Sequence, residues 1–321
     1  MIKTPKFWTD RNIISYSLLP FSLVYACGFF LIRFFAKKEK ISKPVICIGN
    51  IIAGGSGKTP TAIAIGRLLQ EMSIDFSYLS RGYMGDGSEF LSVNSNSSNA
   101  KQVGDESILL SEVAKTFVAK NRLFGAQQID RMRDVKMIIV DDGMQNNSLN
   151  YDYTIAVIDS GVAFGNEFLI PAGPMREPIN SGLNKADLII IIGEANDSLL
   201  QKLSNRKLIQ ARIIPSNIDA FKNKRMMAFC GLAYPKKFFS LLKSEGVEVL
   251  NEVGFGDHHN YSNNELEELM NNAQVNNMSL VTTKKDWVKF SKEFKEKIPY
   301  LDIRLEFDDK EFIKKELKKL L

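Results

Sequence analysis

The sequence predicts an α/β protein: a mainly parallel sheet flanked by helices, a smaller C-terminal α/β domain, and a hydrophobic helix at the N-terminus. Three observations predict it. Short, continuous apolar runs alternate with helical stretches between residues 45 and 214, the pattern of parallel strands covered on both faces. The same rhythm restarts near Asn217. Ahead of both, residues 13 to 32 carry no charge.

That first stretch reads IISYSLLPFSLVYACGFFLI. Roughly 20 apolar residues can span a bilayer as a helix. Lys3, Lys6 and Arg11 precede it, and Arg33, Lys37, Lys38, Lys40 and Lys43 follow. Such flanks suit anionic headgroups, and the heavier C-terminal flank would put the body in the cytoplasm. Pro20, Gly28 and three serines suit an interfacial helix in one leaflet equally well. A cleavable signal peptide would need a small-residue site after a shorter core, and no convincing one occurs. A helix buried in the body is the other alternative.

Charge separates this segment from the rest. Residues 1 to 44 hold eight Lys/Arg against two Asp/Glu, and the remainder holds 34 against 35. The net +5 is therefore N-terminal, and the body lacks the broad basic face that nucleic acid requires. With 45% hydrophobic and 25% charged residues, the chain is packed rather than disordered. Three cysteines without C-x-x-C spacing exclude a disulfide framework and a four-cysteine zinc site. The two histidines, His258 and His259, are adjacent, so any histidine chemistry comes from there.

The elements follow in order. VICIG (45 to 49) is a strand, followed by a glycine turn and the helical PTAIAIGRLLQEM. FSYLS (76 to 80) is a strand and residues 103 to 115 a helix. KMIIVDD (136 to 142) is a strand ending in two acids, and TIAVID, DLIIIIG and LIQARII continue the sheet. A linker lies near residues 215 to 224. Beyond it RMMAFCGLA and SLVTT read as strands, PKKFFSLLKSEG as a helix, and YLDIRLEF alternates as a half-buried strand does. DKEFIKKELKKLL closes the chain as an amphipathic helix. The expected divisions are a membrane-associated helix at 1–43, an α/β domain at 44–215 and a smaller C-terminal α/β domain at 216–321.

The glycine turn carries chemistry. Gly54-Gly55-Ser56-Gly57-Lys58-Thr59, then Pro60, stands between strand and helix. Glycines let backbone N–H groups approach phosphate oxygens, the lysine offers charge to the outer phosphates, and the threonine hydroxyl can bind Mg²⁺. Pro60 has the φ of a first helical turn, whose dipole also favours phosphate. The placement makes the sheet P-loop NTPase-like, although Ile52 stands where G-x-x-x-x-G-K-T has its first glycine. Asp141-Asp142 ends a strand as a metal-holding carboxylate does beside such a loop; alone, the pair would read as a turn before Gly143.

Other groups are less generic. Asp105 in Gly104-Asp105-Glu106 reads as a helix N-cap or as a carboxylate that accepts a proton from an attacking hydroxyl. Asp257-His258-His259 reads as a surface turn or as a partner for such a base. Arg81-Gly82-Tyr83 could grip an anionic sugar or phosphate. Prolines in LIPAGPMREP (169 to 178) would hold Arg176 and Glu177 in place, for a site or a structural ion pair.

Taken together, GNIIAGGSGKTP (49 to 60), SRGY (80 to 83), GDE (104 to 106), VDDGMQN (140 to 146), LIPAGPMREP, FGDHHNY (255 to 261) and TTKKD (282 to 286) resemble the tetraacyldisaccharide 4′-kinases, the lipid A 4′-kinases of Gram-negative bacteria. The resemblance covers nearly the whole chain. It implies ATP- and Mg²⁺-dependent phosphorylation of the 4′-hydroxyl of an acylated glucosamine disaccharide 1-phosphate, giving lipid IVA at the membrane, with no protein partner. It implies that Gly54 to Pro60 bind nucleotide, with Lys58 also catalytic, and that Thr59, Asp141 and Asp142 hold metal, supported by Gln145 and Glu177. Asp105 would be the general base and His258 its partner. Arg81, Tyr83 and Arg122 would lie near the lipid headgroup. Asn146 stands where the family usually has histidine.

Three other classes stay open on residues alone. A membrane-recruited NTPase switch would hydrolyse without an acceptor, and the base-reading N-K-x-D of a GTPase does not occur. A nucleotide-binding scaffold would not turn over. A soluble small-molecule kinase would use its N-terminal helix only as core.

Overall fold

The computed structural model describes residues 5–82 and 89–321. A nine-stranded sheet contains β1 (Val45–Gly49), β2 (Phe76–Ser80), β3 (Leu91–Val93), β4 (Thr116–Val118), β5 (Met137–Asp141), β6 (Tyr153–Asp159), β7 (Leu188–Ile192) and β8 (Leu208–Pro215). A four-stranded sheet contains β9 (Arg225–Cys230), β10 (Glu248–Gly254), β11 (Ser279–Thr283) and β12 (Tyr300–Leu301). The last strand, β13 (Ile303–Phe307), returns to the large sheet.

The large sheet runs in the order β13-β8-β7-β6-β1-β5-β2-β4-β3, parallel throughout except at its two edges, where β13 and β3 are antiparallel. Strands β1, β2, β5 and β7 are buried along their whole length. That is why they read as unbroken apolar runs rather than alternations. On one face the helix Lys58–Glu71 and the C-terminal helix Lys310–Lys318 cover a core of Ile46, Ile48, Ile65, Leu69, Ile139 and Phe307. In the small sheet, β10 lies at the edge and alternates between exposed and half-buried residues, a weaker sequence signal than the central runs.

The order in which strands are added to the sheet reverses around β1, which lies between β5 and β6 and runs parallel to both. Parallel α/β sheets open a crevice at the C-terminal ends of such strands. The glycine loop leaves β1 there, and Asp141-Asp142 ends β5 beside it.

Four sequence expectations need correction. YLDIRLEF is not one strand of the C-terminal unit: β12 pairs with β11, Asp302 breaks the ladder, and β13 pairs with β8. Leu305 and Phe307 enter the large core, and alternation alone cannot say which of two sheets a strand joins. Residues 303–318 thus pack on the large sheet, although the expected small unit ran over 216–321. The helix expected at 103–115 is two short helices, Ala100–Val103 and Asp105–Ser111, parted by Gly104 at φ 84°. Gly104, not Asp105, is the N-cap residue. Lastly, the apolar N-terminal stretch forms two helices, Ile13–Ser17 and Leu19–Phe35, and among the described residues no helix is long and apolar enough to cross a membrane. It lies along the protein, with Leu23, Val24, Ile32, Phe34 and Phe35 exposed.

Close packing of helix on sheet depends on Gly66. A Cβ there would sit 1.9 Å from the Tyr78 hydroxyl, which donates to the Ala62 carbonyl at 3.0 Å. Overpacking of this kind costs about 1–3 kcal/mol. Gly66→Ala should therefore lower the thermal midpoint clearly; an unchanged midpoint would mean that the helix moves off β2 without cost.

Candidate active site

A cleft of about 1380 Å³ opens at the C-terminal ends of β1 and β5 and runs between the two sheets. Gly54 to Pro60, Arg81, Glu106, Arg122, Asp141, Asp142, Gln145, Arg176, His258 and Lys285 all line it. The glycine loop needs left-handed backbone at two points, Gly54 at φ 107° and Gly57 at φ 81°. At Gly57 a Cβ would also lie 2.3 Å from Ile192 Cδ1, so only glycine fits. The helix Lys58–Glu71 starts directly after it, with Lys58 and Thr59 both buried.

The two acids at the end of β5 have different environments. Asp141 is buried at 1% exposure; burial, with Glu106 and Asp142 near, pushes its carboxyl up to about 7 against Lys58 and Thr59. Its Oδ2 accepts from the Thr59 hydroxyl at 3.2 Å, while Oδ1 has no hydrogen-bond partner among the described residues. An orphaned buried carboxylate oxygen beside a threonine hydroxyl fits a hard cation with oxygen ligands such as Mg²⁺. Asp142 adopts φ 52° and turns toward cations. Burial opposes its charge, but Lys58 and Arg176 bring it down to about 2. Lys58 Nζ lies 3.9 Å from Asp142 Oδ2, and Arg176 Nη1 donates to Asp142 Oδ1 at 2.8 Å.

Arg176 opens a network. It also donates to Gln145 Oε1 at 3.0 Å, and Gln145 Nε2 donates to the Asn50 carbonyl at 2.7 Å and Glu177 Oε1 at 3.2 Å. Glu177 is fully buried, 2.7 Å from Lys185 Nζ, and accepts from the Ser181 hydroxyl. Its oxygens are thereby taken up behind Gln145, which connects through Arg176 to Asp142. Arg122 is buried, too, and donates to the Asp141 and Asp142 carbonyls at 3.3 and 3.4 Å, so it braces the end of β5. Arg81 is exposed at the cleft wall. Tyr83 lies outside the described residues. Asn146 accepts from the Ser148 and Leu149 N–H groups and shapes the turn that carries Gln145.

The second sheet supplies the other wall. His258, at φ 56° in the turn after β10, reaches across to Asp105, with Nδ1 2.9 Å from Oδ2. Burial opposes the Asp105 charge, but Lys285, His258 and Lys289 hold the carboxyl down at about 2. An ionised carboxylate can only accept, so Nδ1 carries the shared proton. Lys285 Nζ stands 3.2 Å from His258 Nε2 and 3.6 Å from Glu106. Burial works against its charge, yet Glu106, Asp105 and Asp257 raise its pKa. His259 turns away to Glu265 and stacks on Phe255, a structural role.

Sequence reasoning left Lys285, Glu106 and Asn50 without a role, although TTKKD, GDE and the GN before the glycine loop held the signal. Arg176 was singled out, but its partner is 34 residues away and only folding joins them.

A family model described as tetraacyldisaccharide-1-P 4′-kinase matches residues 14–321. A tetraacyldisaccharide 4′-kinase of Rickettsia canadensis (strain McKiel) is 38% identical over 309 residues, covering 95% of this chain and 93% of the relative. One from Rickettsia felis (strain ATCC VR-1525 / URRWXCal2) is 36% identical over 317 residues, covering 98% and 96%. Among solved structures, LpxK from Aquifex aeolicus in complex with ATP matches with a TM-score of 0.77 at 25% identity, over 96% of this chain and 99% of that one.

The Asp105–His258 contact makes a pH prediction. The folded carboxyl sits near 2 against an ordinary 3.8, so its stabilisation is complete above about pH 4 and is lost as pH falls toward 2. Across that window the thermal midpoint should fall more steeply in the wild type than in Asp105→Asn; parallel curves would show that the contact is not formed in solution.

Proposed function

The chain belongs to the tetraacyldisaccharide 4′-kinase family, and on that premise we propose how its residues divide the work of phosphoryl transfer. It is an ATP-dependent kinase of lipid A biosynthesis, moving the γ-phosphate of ATP to the 4′-hydroxyl of tetraacyldisaccharide 1-phosphate to give lipid IVA. The observation that carries the division is that His258, paired with the buried Asp105, lines the same cleft as the glycine loop.

Phosphoryl transfer needs mainly positioning and charge neutralisation. Gly54 to Gly57 present backbone N–H groups and the start of the following helix to the phosphates, with Lys58 as the buried cation. Thr59 and Asp141 would hold Mg²⁺, with Asp142 and Gln145 beside them and Glu177 orienting Gln145. When bound, the ion supplies charge that offsets the phosphate oxygens. Arg176, already on Asp142, adds a second cation at that wall.

A sugar hydroxyl also loses its proton as the new bond forms. Asp105 is kept ionised, the form in which it can accept that proton and become neutral as the sugar oxygen attacks, and the His258 Nδ1–H from the second sheet orients the carboxylate. Lys285 fixes the other imidazole nitrogen. Arg81 at the exposed wall, with Tyr83 in the same motif, would meet the acceptor headgroup. Arg122 serves that face indirectly, through the backbone of Asp141 and Asp142. The units at 44–215 and 216–321 would close on nucleotide and acceptor, with the return of residues 303–318 tying them together.

The N-terminal segment, at 1–43, would seat the enzyme on the cytoplasmic face of the inner membrane as an interfacial helix. Its exposed Leu, Val, Ile and Phe residues and its basic flanks support this. Each large apolar side chain buried in the interface contributes about 1.5–3 kcal/mol. The double variant Leu31→Ser/Phe34→Ser should therefore pellet far less with anionic vesicles; equal pelleting removes the interfacial role.

The direct test follows labelled γ-phosphate from Mg·ATP to a detergent-dispersed acylated disaccharide 1-phosphate by thin-layer chromatography. A more polar labelled lipid is expected. Asp105→Ala should lower turnover by about 10²–10⁴-fold with little change in ATP affinity. Comparable losses in both would remove the base role, and acceptor-independent hydrolysis alone would favour the NTPase switch.

A further inference from the structure

The N-terminal segment grips one loop of the active site. Residues 166–178 run between the two. On the outer side, Trp8 Nε1 donates to the Pro171 carbonyl at 3.0 Å, and Arg11 pairs with Glu167 at 2.8 Å. The buried Ser22 hydroxyl donates to the Leu169 carbonyl at 2.7 Å and accepts from the Ala172 N–H at 3.1 Å. The Tyr25 hydroxyl donates to the Arg176 carbonyl at 2.9 Å. Arg33 donates to Ser181 Oγ at 2.8 Å and lies 3.9 Å from Glu177 Oε2. On the inner side the same loop delivers Arg176 to Asp142 and Gln145, and Glu177 to Gln145.

These contacts form a stripe. Ser22, Tyr25, Phe29 and Arg33 recur at helical spacing on Leu19–Phe35, and the Phe29 ring meets Lys185, the partner of Glu177, at 5.7 Å. Other positions of the helix expose Leu23, Val24, Leu31 and Phe34. One short helix therefore carries both the apolar residues offered to lipid and the polar residues that hold the catalytic loop.

We propose that Tyr25 and Arg33 are positioning residues for phosphoryl transfer, setting Arg176 and Glu177 so that seating the helix on lipid and preorganising the cleft are one event. This rests on the kinase reading above. The peptide at Arg176 is held from both sides: its N–H donates to the Ile51 carbonyl at 2.8 Å, and its carbonyl accepts from Tyr25. That fixes where the guanidinium starts. Glu177 is a fully buried carboxylate, which must stay paired; Arg33 is the second cation on it after Lys185. Loosening either contact lets the Arg176–Gln145–Asp142 network drift, and catalysis depends steeply on such geometry.

The test uses the full chain with Tyr25→Phe, Arg33→Met and Arg33→Lys. Tyr25→Phe should lower kcat by about three- to tenfold, the worth of one hydrogen bond, with the KM for lipid acceptor and vesicle pelleting unchanged. Arg33→Met should behave likewise, and Arg33→Lys should recover part of the loss. Wild-type kcat in both Tyr25→Phe and Arg33→Met, or losses confined to KM and vesicle binding, would make the helix an anchor only and overturn the proposal. Hydrogen exchange over residues 166–178 reads the clamp without turnover. It should quicken in both variants; unchanged exchange overturns the proposal even if the wild type phosphorylates nothing, which would instead defeat the kinase reading.

Discussion

Two adjacent carboxylates at the end of β5, Asp141 buried and Asp142 half-buried, impose the constraint that organises this molecule. Like charges so close in a dry crevice are costly unless cations meet them. Here the cations come from three separate parts of the chain: Lys58 from the glycine loop, Arg176 from the proline-rich loop, and Arg122 from the helix Arg122–Asp130. The compensation is uneven. Asp142 takes the ion pairs and remains ionised, while among the described residues Asp141 has a threonine hydroxyl on one oxygen and no hydrogen-bond partner on the other. The same imbalance that raises the Asp141 pKa is what makes Asp141 the carboxylate proposed for a divalent cation beside the glycine loop. Stability and function pull in opposite directions at this residue, as they commonly do at reaction centres.

The second sheet completes the site by bringing charge to the first. His258, Lys285 and Lys289 all converge on Asp105 or Glu106, which open a helix of the large sheet's layer. Without them, Asp105 would be a buried carboxylate with only a backbone N–H for company. The union is reinforced where the chain crosses back. Asp302 accepts the Ser216 N–H and donates its own to Asn217, so both crossings between the sheets are hydrogen-bonded to each other. The carboxylate proposed as the base is thus partnered from two layers, and the two chain crossings beneath it are tied together.

The N-terminal segment belongs to this same network. Its contacts with residues 166–178 are mostly hydrogen bonds to backbone carbonyls, which define position rather than add much affinity. A loop rich in proline has few conformations to lose, so a few such bonds suffice to hold it. On the proposed reading, the exposed apolar side chains offered to the membrane and the side chains that hold the Arg176 loop share one helix.

Much of this could be read in the residues. Unbroken apolar runs marked β1, β5 and β7, because strands buried on both faces admit nothing else. Local chemistry marked Gly54 to Thr59 and Asp141-Asp142, because close backbone approach and metal-holding carboxylates demand particular residues at particular spacings. The short strands β3 and β4 and the edge strand β10 carried too few or too exposed residues to register. Sequence also could not say that YLDIRLEF changes sheets at Asp302, that Arg122 supports backbone, or that Glu177 lies behind Gln145. Each of those depends on a partner tens of residues away, and alternation or charge on a local stretch is the same whichever partner it meets. The sequence by itself determined the layered architecture from local pattern, and the reaction class only through the family resemblance that its motifs carry together. Only the tertiary structure decided which cation neutralises which carboxylate, because burial and distance arise when separate segments are packed together.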